Sequence, residues 1–425
     1  MAFGRAGRLV AVLGMGMSGV LVLVAGCSSA PSDKVVLSVA TFGEFGYDTL
    51  FRQYEALHPD VQIKSLVTDF DTHHKGLATQ LAAGRGAADV EAIEEQYMPQ
   101  FRQSADKFAD LGKFGATSLQ NQWTPWKWQQ GLADGGKDVM GLGTDMGSLA
   151  LCYRKDLFAK AGLPTDRTEV AKLWPTWEDF GAVGDRFTAK VPGTKFTDSA
   201  GNVYTAILNQ AEENFFSKAD DSFIADRNPN VHRAFYLAGA IGAKGETAKV
   251  VPFTQPWTVA IKQGTFATMT CPAWMLTQIH DAGGAGNAGK WDVTSVPGGS
   301  GNWGGSYLTI PAQGAHQQQA YDLAKWLTSP EQEKAVFAAE DILPSEPPAY
   351  MDPAVLDKTD PYFSDAPIGK IYATSADSLR PNYRGLKDAD VRPKFGQALG
   401  RVEDGGQSVD AAWAQAIQEA RDAAK

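Results

Sequence analysis

Beyond its N-terminal segment this sequence has no run of about eighteen or more apolar residues, so no later helix is expected to span a bilayer. It contains no nucleophile elbow, no zinc-ligand spacing and no phosphate-binding glycine loop, and the isolated pair His73-His74 has no Glu-x-x-His companion. Neither a metal nor a cofactor is therefore expected. Lys and Arg number 39 against 49 Asp and Glu, and the resulting formal charge of −10 disfavours a nucleic-acid partner. Cysteine is scarce, at three in 425 residues. Internal repeats are also missing.

What is present begins with an export signal. Arg5 and Arg8 precede an apolar stretch, Leu9 to Ala25, softened by Gly14, Gly16 and Gly19 and ending in Leu23-Val24-Ala25-Gly26-Cys27. This ending resembles the bacterial lipoprotein signal. The resemblance implies cleavage before a diacylglycerol-modified Cys27, with residues 1–26 as signal peptide and 27–34 as a lipid-anchored tether. The mature chain then loses two positive charges and carries about −12. Cys152 and Cys271 remain as an even pair in an oxidising compartment, either as a disulfide or as two buried thiols.

Leu, Val, Phe and Trp run the whole length, enough for two domains rather than one. Val35 to Thr41 reads as a buried strand. A helix follows with Asp48 as N-cap and Leu50, Phe51, Tyr54 and Leu57 on one face, and it stops at His58-Pro59. A second strand, Val61 to Val67, leads to a helix carrying Leu77 and Leu81 and ending at Ala83-Gly84, and Asp89 to Ile93 is a third strand. This β-α-β-α-β order predicts a parallel sheet with ligand-binding loops beyond the strands' carboxyl ends. Those loops are Phe42 to Tyr47, Thr68 to His73 and Glu94 to Tyr97. Trp123, Trp126 and Trp128 surround Pro125 in what reads as a loop, and the glycine-punctuated stretch Val139 to Gly147 reads as a crossing between domains.

Five stretches, in order, resemble the extracellular solute-binding proteins of sugar ABC importers. They are Phe42-Gly43-Glu44 after the first strand; Thr144-Asp145 to Tyr153-Arg154-Lys155-Asp156-Leu157-Phe158; Lys262-Gln263-Gly264-Thr265-Phe266-Ala267-Thr268-Met269 with Trp274; Trp303-Gly304-Gly305-Ser306; and Tyr321 to Glu331. The resemblance implies an α/β, two-lobe periplasmic-binding-protein-like fold of type II, each lobe a sheet flanked by helices, with lobes of residues 35–143 plus 306–347 and 144–305 plus 348–425. It implies a monomeric binding protein, not an enzyme, held outside the cell, that captures an oligosaccharide and delivers it to ABC permease subunits with a cytoplasmic ATPase. Phe42-Gly43-Glu44-Phe45-Gly46-Tyr47 and Pro272-Ala273-Trp274-Met275 look closest to actinobacterial lipoproteins for cellobiose and cello-oligosaccharides; maltose-, xylo- and chito-type sugars are the alternatives. Many relatives have Gly-Pro-Trp where this chain has Cys271-Pro272-Ala273-Trp274.

A sugar offers C–H groups on its ring faces and hydroxyls on its rim, so its site needs flat aromatic rings and fixed polar groups. Trp274, and Trp303 beside Gly305 and Ser306, are expected to stack; Trp177 is either a platform or helix-entry packing. For the rim the loops offer Glu44 and Tyr47, Asp71, and Glu95 with Gln96, while Asp145 lies at the hinge and Tyr383-Arg384 before the terminal helices. Asp71 is alternatively a helix cap and Asp145 a brace for the hinge turn. The rival function is a secreted glycoside hydrolase, which needs two carboxylates.

Overall fold

A computed structural model of the chain describes residues 34–425. The signal, the tether as far as Asp33, and Cys27 lie outside the described residues. Strand β1 (Val35–Phe42) is followed by helix α1 (Asp48–Leu57), β2 (Val61–Thr68), α2 (Phe70–Ala83) and β3 (Val90–Glu94). β1 pairs in parallel with β2 on one side and β3 on the other, as the alternation of strand and helix predicts. Leu50, Phe51 and Tyr54 are the buried face of α1. Its N-cap is Tyr47 rather than Asp48, which becomes the first helical residue and faces the positive end of the helix dipole. In α2 the cap is Asp69, whose carboxylate accepts from Thr72 N at 3.0 Å, and the helix stops at Gly84 in the left-handed region that a residue without Cβ adopts freely.

Next come α3 (Met98–Arg102), α4 (Pro125–Gln130), a small hairpin of β4 (Leu132–Ala133) and β5 (Asp138–Val139), and β6 (Gly141–Gly143). Pro125 sits at the first turn of α4, so the tryptophan-rich stretch is a helix there and not the expected loop. The first sheet is completed by β11 (Ser306–Thr309), which pairs antiparallel with both β3 and β6 and gives the order β2-β1-β3-β11-β6. One face buries Leu37, Val39 and Leu308 against α1 and the helix Gln317–Leu327; the other buries Ile93 and Tyr307 against Leu77 and Leu81 of α2.

From β6 the chain passes through Thr144 to Ser148 into the second sheet, ordered β10-β7-β9-β8, where β7 is Leu149–Arg154, β8 Lys195–Thr197, β9 Phe266–Pro272 and β10 Trp291–Thr294. Successive side chains of β7 enter opposite cores. Leu149, Leu151 and Tyr153 pack with the helices Trp177–Lys190, Ala200–Leu208 and Asp388–Glu403, whereas Ala150 and Cys152 pack with Met275–Gly283 and Ile368–Asp377. Cys152 and Cys271, on neighbouring strands with Cα atoms 5.8 Å apart, form a disulfide, which resolves the open alternative.

The molecule is thus a two-lobed α/β fold with helices on both faces of each sheet. The two strand-to-strand crossings are packed backbone on backbone. A Cβ on Gly147 would lie 1.7 Å from the carbonyl oxygen of Trp303, and one on Gly305, at φ +122°, 2.8 Å from that of Asp145. A third crossing follows the helix Pro330–Glu340, whose Val336 belongs to the first lobe's core and whose Phe337 belongs to the second's. Among the described residues no helix is long and apolar enough to cross a membrane.

Candidate functional site

Between the lobes lies a cavity of about 950 Å³. The first lobe contributes Arg102 at the end of α3, then Trp126, Gln129 and Gln130 from α4; the second contributes Glu212, Lys218 and the segment Pro381 to Arg384. Three consecutive residues of α4 point three ways, as about 100° per residue requires. Trp126 is half-buried and lines the cavity. Lys127 is fully buried, its ammonium 4.2 Å from the centre of the Tyr307 ring. Trp128 stacks on Trp123 at 5.7 Å.

Glu95 joins the two lobes at the cavity wall. Its Oε1 accepts from Arg384 Nη2 at 2.8 Å and its Oε2 from Asn302 Nδ2 at 2.7 Å, while its backbone N–H donates to the carbonyl of Gly305 at 2.9 Å. Arg384 also bonds Asn209 Oδ1 at 3.2 Å and faces Asp388 at 3.5 Å. Burial pushes the Glu95 carboxyl up, and the adjacent guanidinium pulls it back. The Asp388 carboxyl, buried behind Arg384, is pushed up to about 6 by desolvation.

A second cluster lies around Gly304. Trp274 Nε1 donates to the carbonyl of Trp303 at 3.0 Å, the two rings meet edge to face at 6.1 Å, and both are partly exposed. A Cβ on Gly304 would fall 3.5 Å from Trp274 Nε1 and 3.7 Å from Glu94 Oε1, so the Glu94 carboxylate and the Trp274 ring both border this glycine. Desolvation, reinforced by neighbouring Glu95, raises the Glu94 carboxyl to about 8. His74 fixes its backbone. Nε2 accepts from Glu94 N at 3.1 Å while Nδ1 faces the carbonyl of Phe70 at 2.7 Å, so the proton is assigned to Nδ1 and the ring is neutral. Burial depresses its pKa to about 3, and it stacks on Tyr97 at 4.1 Å. His73 Nε2 likewise bonds the carbonyl of Ala92, at 2.6 Å, so both histidines are held by packing and hydrogen bonds.

The model of the family described as bacterial extracellular solute-binding protein matches residues 49–361. The chain belongs to that family. An arabinooligosaccharide-binding protein of Bacillus subtilis (strain 168) is 25% identical over 329 residues, 70% of this chain and 71% of the relative. A crystal structure described as extracellular solute-binding protein family 1 is 43% identical, with a TM-score of 0.83, over 92% of this chain and all of that one. The β-1,6-galactobiose-bound ABC transporter binding protein of B. animalis subsp. lactis Bl-04 aligns with a TM-score of 0.78 at 20% identity over 92% and 98% of the two chains, a likeness of fold.

In this solute-binding protein the sequence-predicted residues are spread over several places. Glu95, Tyr383 and Arg384 line the cavity, and Trp274, Trp303, Gly305 and Ser306 lie at or beside the Gly304 cluster. Gln96 is half-buried, its backbone N–H held by Glu94 Oε2 at 2.7 Å. Asp145 is buried and accepts from Thr144 Oγ1 at 2.6 Å and Ser306 N at 2.9 Å, which ties two interlobe crossings together, and Tyr47 is buried close to it and to Glu333. Elsewhere, Glu44 is exposed on its loop, Asp71 is an exposed helical residue paired with Lys75 at 2.8 Å, and Trp177 is 1% exposed in the second lobe's core with Nε1 bonded to Gln210 at 2.8 Å. Trp177 presents no free ring face to a ligand. Sequence reasoning missed Trp126, Arg102, Gln129, Gln130 and Lys218. Pro125, read as a helix start, would have separated Trp126 from Trp128.

Proposed function

We propose that this protein captures an oligosaccharide between its lobes, outside the cell, and delivers it to the permease of an ABC importer. The observation that carries this reading is the 950 Å³ cavity walled from both lobes by an aromatic ring, Trp126, and by fixed amide and guanidinium groups. Its size falls at the upper end of the roughly 300–1,000 Å³ of small-molecule sites, and this mixture of wall chemistries suits sugar faces and rims. The Glu95–Arg384 bond closes one wall only when the lobes are together, which couples closure to capture. In this reading residues 35–143 with 306–347 and residues 144–305 with 348–425 move as the two lobes, and lipid on Cys27 keeps the protein at the membrane.

For the sugar we propose a cello-oligosaccharide, on the loop and tryptophan motifs described above; the arabinooligosaccharide named for the Bacillus relative is the second reading. Titration of the purified protein, without its lipid, with cello-, arabino-, malto- and xylo-oligosaccharides is followed by Trp fluorescence, and each sugar is then checked for cleavage. Saturable binding of intact sugar is expected. Turnover without saturable binding rejects the capture function, and binding of another series alone rejects the cello assignment.

A further inference from the structure

The three cations in the cavity wall do not have equal partners. Lys218 Nζ stands 2.9 Å from Glu212 Oε1, and Arg384 is answered by Glu95 at 2.8 Å and by Asp388 at 3.5 Å. Arg102 has no such partner: among the described residues no carboxylate comes within ion-pair distance of it. Its Nη2 donates to the carbonyl of Gln130, and its buried Nε finds no acceptor. Counting Asp388 behind Arg384, cations and carboxylates at the wall are equal in number, and Arg102 is the cation that none of these carboxylates reaches. Arg102 is half-buried, and a guanidinium partly withdrawn from water is better satisfied with an anion beside it. Desolvation acts on Arg102 in that direction, lowering its pKa, with only the phenols of Tyr307 and Tyr383 opposing it.

We propose that Arg102 recognises a carboxylate on the sugar, so that the ligand class is an oligosaccharide carrying a hexuronate unit. This rests on the capture function proposed above and competes with its cello-oligosaccharide reading, since a cello-oligosaccharide carries no carboxylate. The planar fork of a guanidinium matches the two oxygens of a carboxylate, and a single guanidinium without an ion-pair partner matches a monoanion. A phosphorylated sugar brings about 1.5 to 2 negative charges, more than one guanidinium balances. Trp126 and the amides of Gln129 and Gln130 serve the uncharged part of the same ligand.

The test measures affinity by calorimetry for neutral xylo-oligosaccharides, for the same oligosaccharides bearing a glucuronate branch, for the methyl ester of that glucuronate, for oligogalacturonides, and for a sugar phosphate. A uronate-bearing sugar is expected to bind at least 10-fold more tightly than its neutral parent or its methyl ester. Arg102→Gln should abolish that advantage, and Arg102→Lys should retain part of it. The ester comparison needs no protein variant and so holds even if a substitution disturbs folding. Equal binding of acid and ester, a preference that survives Arg102→Gln, or tighter binding of the sugar phosphate overturns the inference and leaves the capture function standing. Failure of every sugar, neutral and acidic, to bind overturns both.

Discussion

Arg384→Met removes one partner of a buried ion pair and keeps most of its side-chain bulk. At 2.8 Å and an effective dielectric constant near 20 the pair's attraction is about 6 kcal/mol before desolvation is charged against it. Without Arg384, Glu95 keeps only Asn302 and is left as a buried charge, a defect that costs about 3–5 kcal/mol. The carboxyl has an escape, because it can take up a proton. Measured from an ordinary carboxyl pKa near 4.3, neutralising it costs about 3.7 kcal/mol at pH 7 and about 1 kcal/mol at pH 5. These figures cap the part of the penalty that falls on Glu95; Asp388, the other carboxylate facing Arg384, keeps Arg392 at 3.2 Å. The sign follows from a folded-state pKa raised above the unfolded value: the variant's folded form binds the extra proton, so its lost stability returns as pH falls. Urea unfolding of wild type and variant should give a deficit of about 3–4 kcal/mol at pH 7 that shrinks to about 1 kcal/mol at pH 5. In Glu95→Gln/Arg384→Met most of this pH dependence should vanish. A deficit under about 1 kcal/mol at pH 7, or one that does not change with pH, would refute the assignment of Glu95–Arg384 as a desolvated ion pair.

Trp126→Ala should weaken oligosaccharide binding by about 1–3 kcal/mol in a folded protein, whereas Trp177→Phe, a change inside the core, should leave affinity unaltered; equal effects in titration would contradict the placement of the cavity. The Cys152–Cys271 disulfide spans 119 residues, for which chain entropy gives up to about 5 kcal/mol, so the double alanine variant should unfold at markedly lower denaturant, and a loss below about 1 kcal/mol counts against a stabilising role. His74, held near pKa 3 against about 6.5 unfolded, makes the unfolded chain take up a proton that the native one refuses. Stability is therefore lost as pH falls from about 6.5 toward 3, by up to about 1.4 kcal/mol per unit. His74→Leu should flatten that slope, as unfolding at a series of pH values would reveal.

Local pattern made much of the first lobe legible. The periods of two and 3.6 residues, the stop at His58-Pro59 and the glycine at 84 marked β1 to β3 and their helices. The site was less legible, because its decisive contacts are distant in sequence. Glu95 and Arg384 were each expected at a ligand, but nothing local tells that they bond each other across a separation of 289 residues. Trp177 and Trp126 illustrate the same difficulty in opposite directions. Each follows a proline or a capping threonine at the start of a helix, and which ring is buried depends on where that helix packs, not on its own residues. Glu94 ends β3 and Glu95 follows it, and which of them borders Gly304 depends on the antiparallel register of β3 with β11.

The position of β11 has a consequence for how the chain matures. It sits inside the first sheet, between β3 and β6, yet it lies beyond all four strands of the second sheet in the sequence. As the polypeptide emerges N-terminus first, the initial strands lack the one that joins them, and both flanking edges stay unpaired until most of the protein has been made. Long-range pairing of this kind delays compaction. The first lobe, although its strands are made first, is therefore the one whose sheet closes only after every strand of the second has been made.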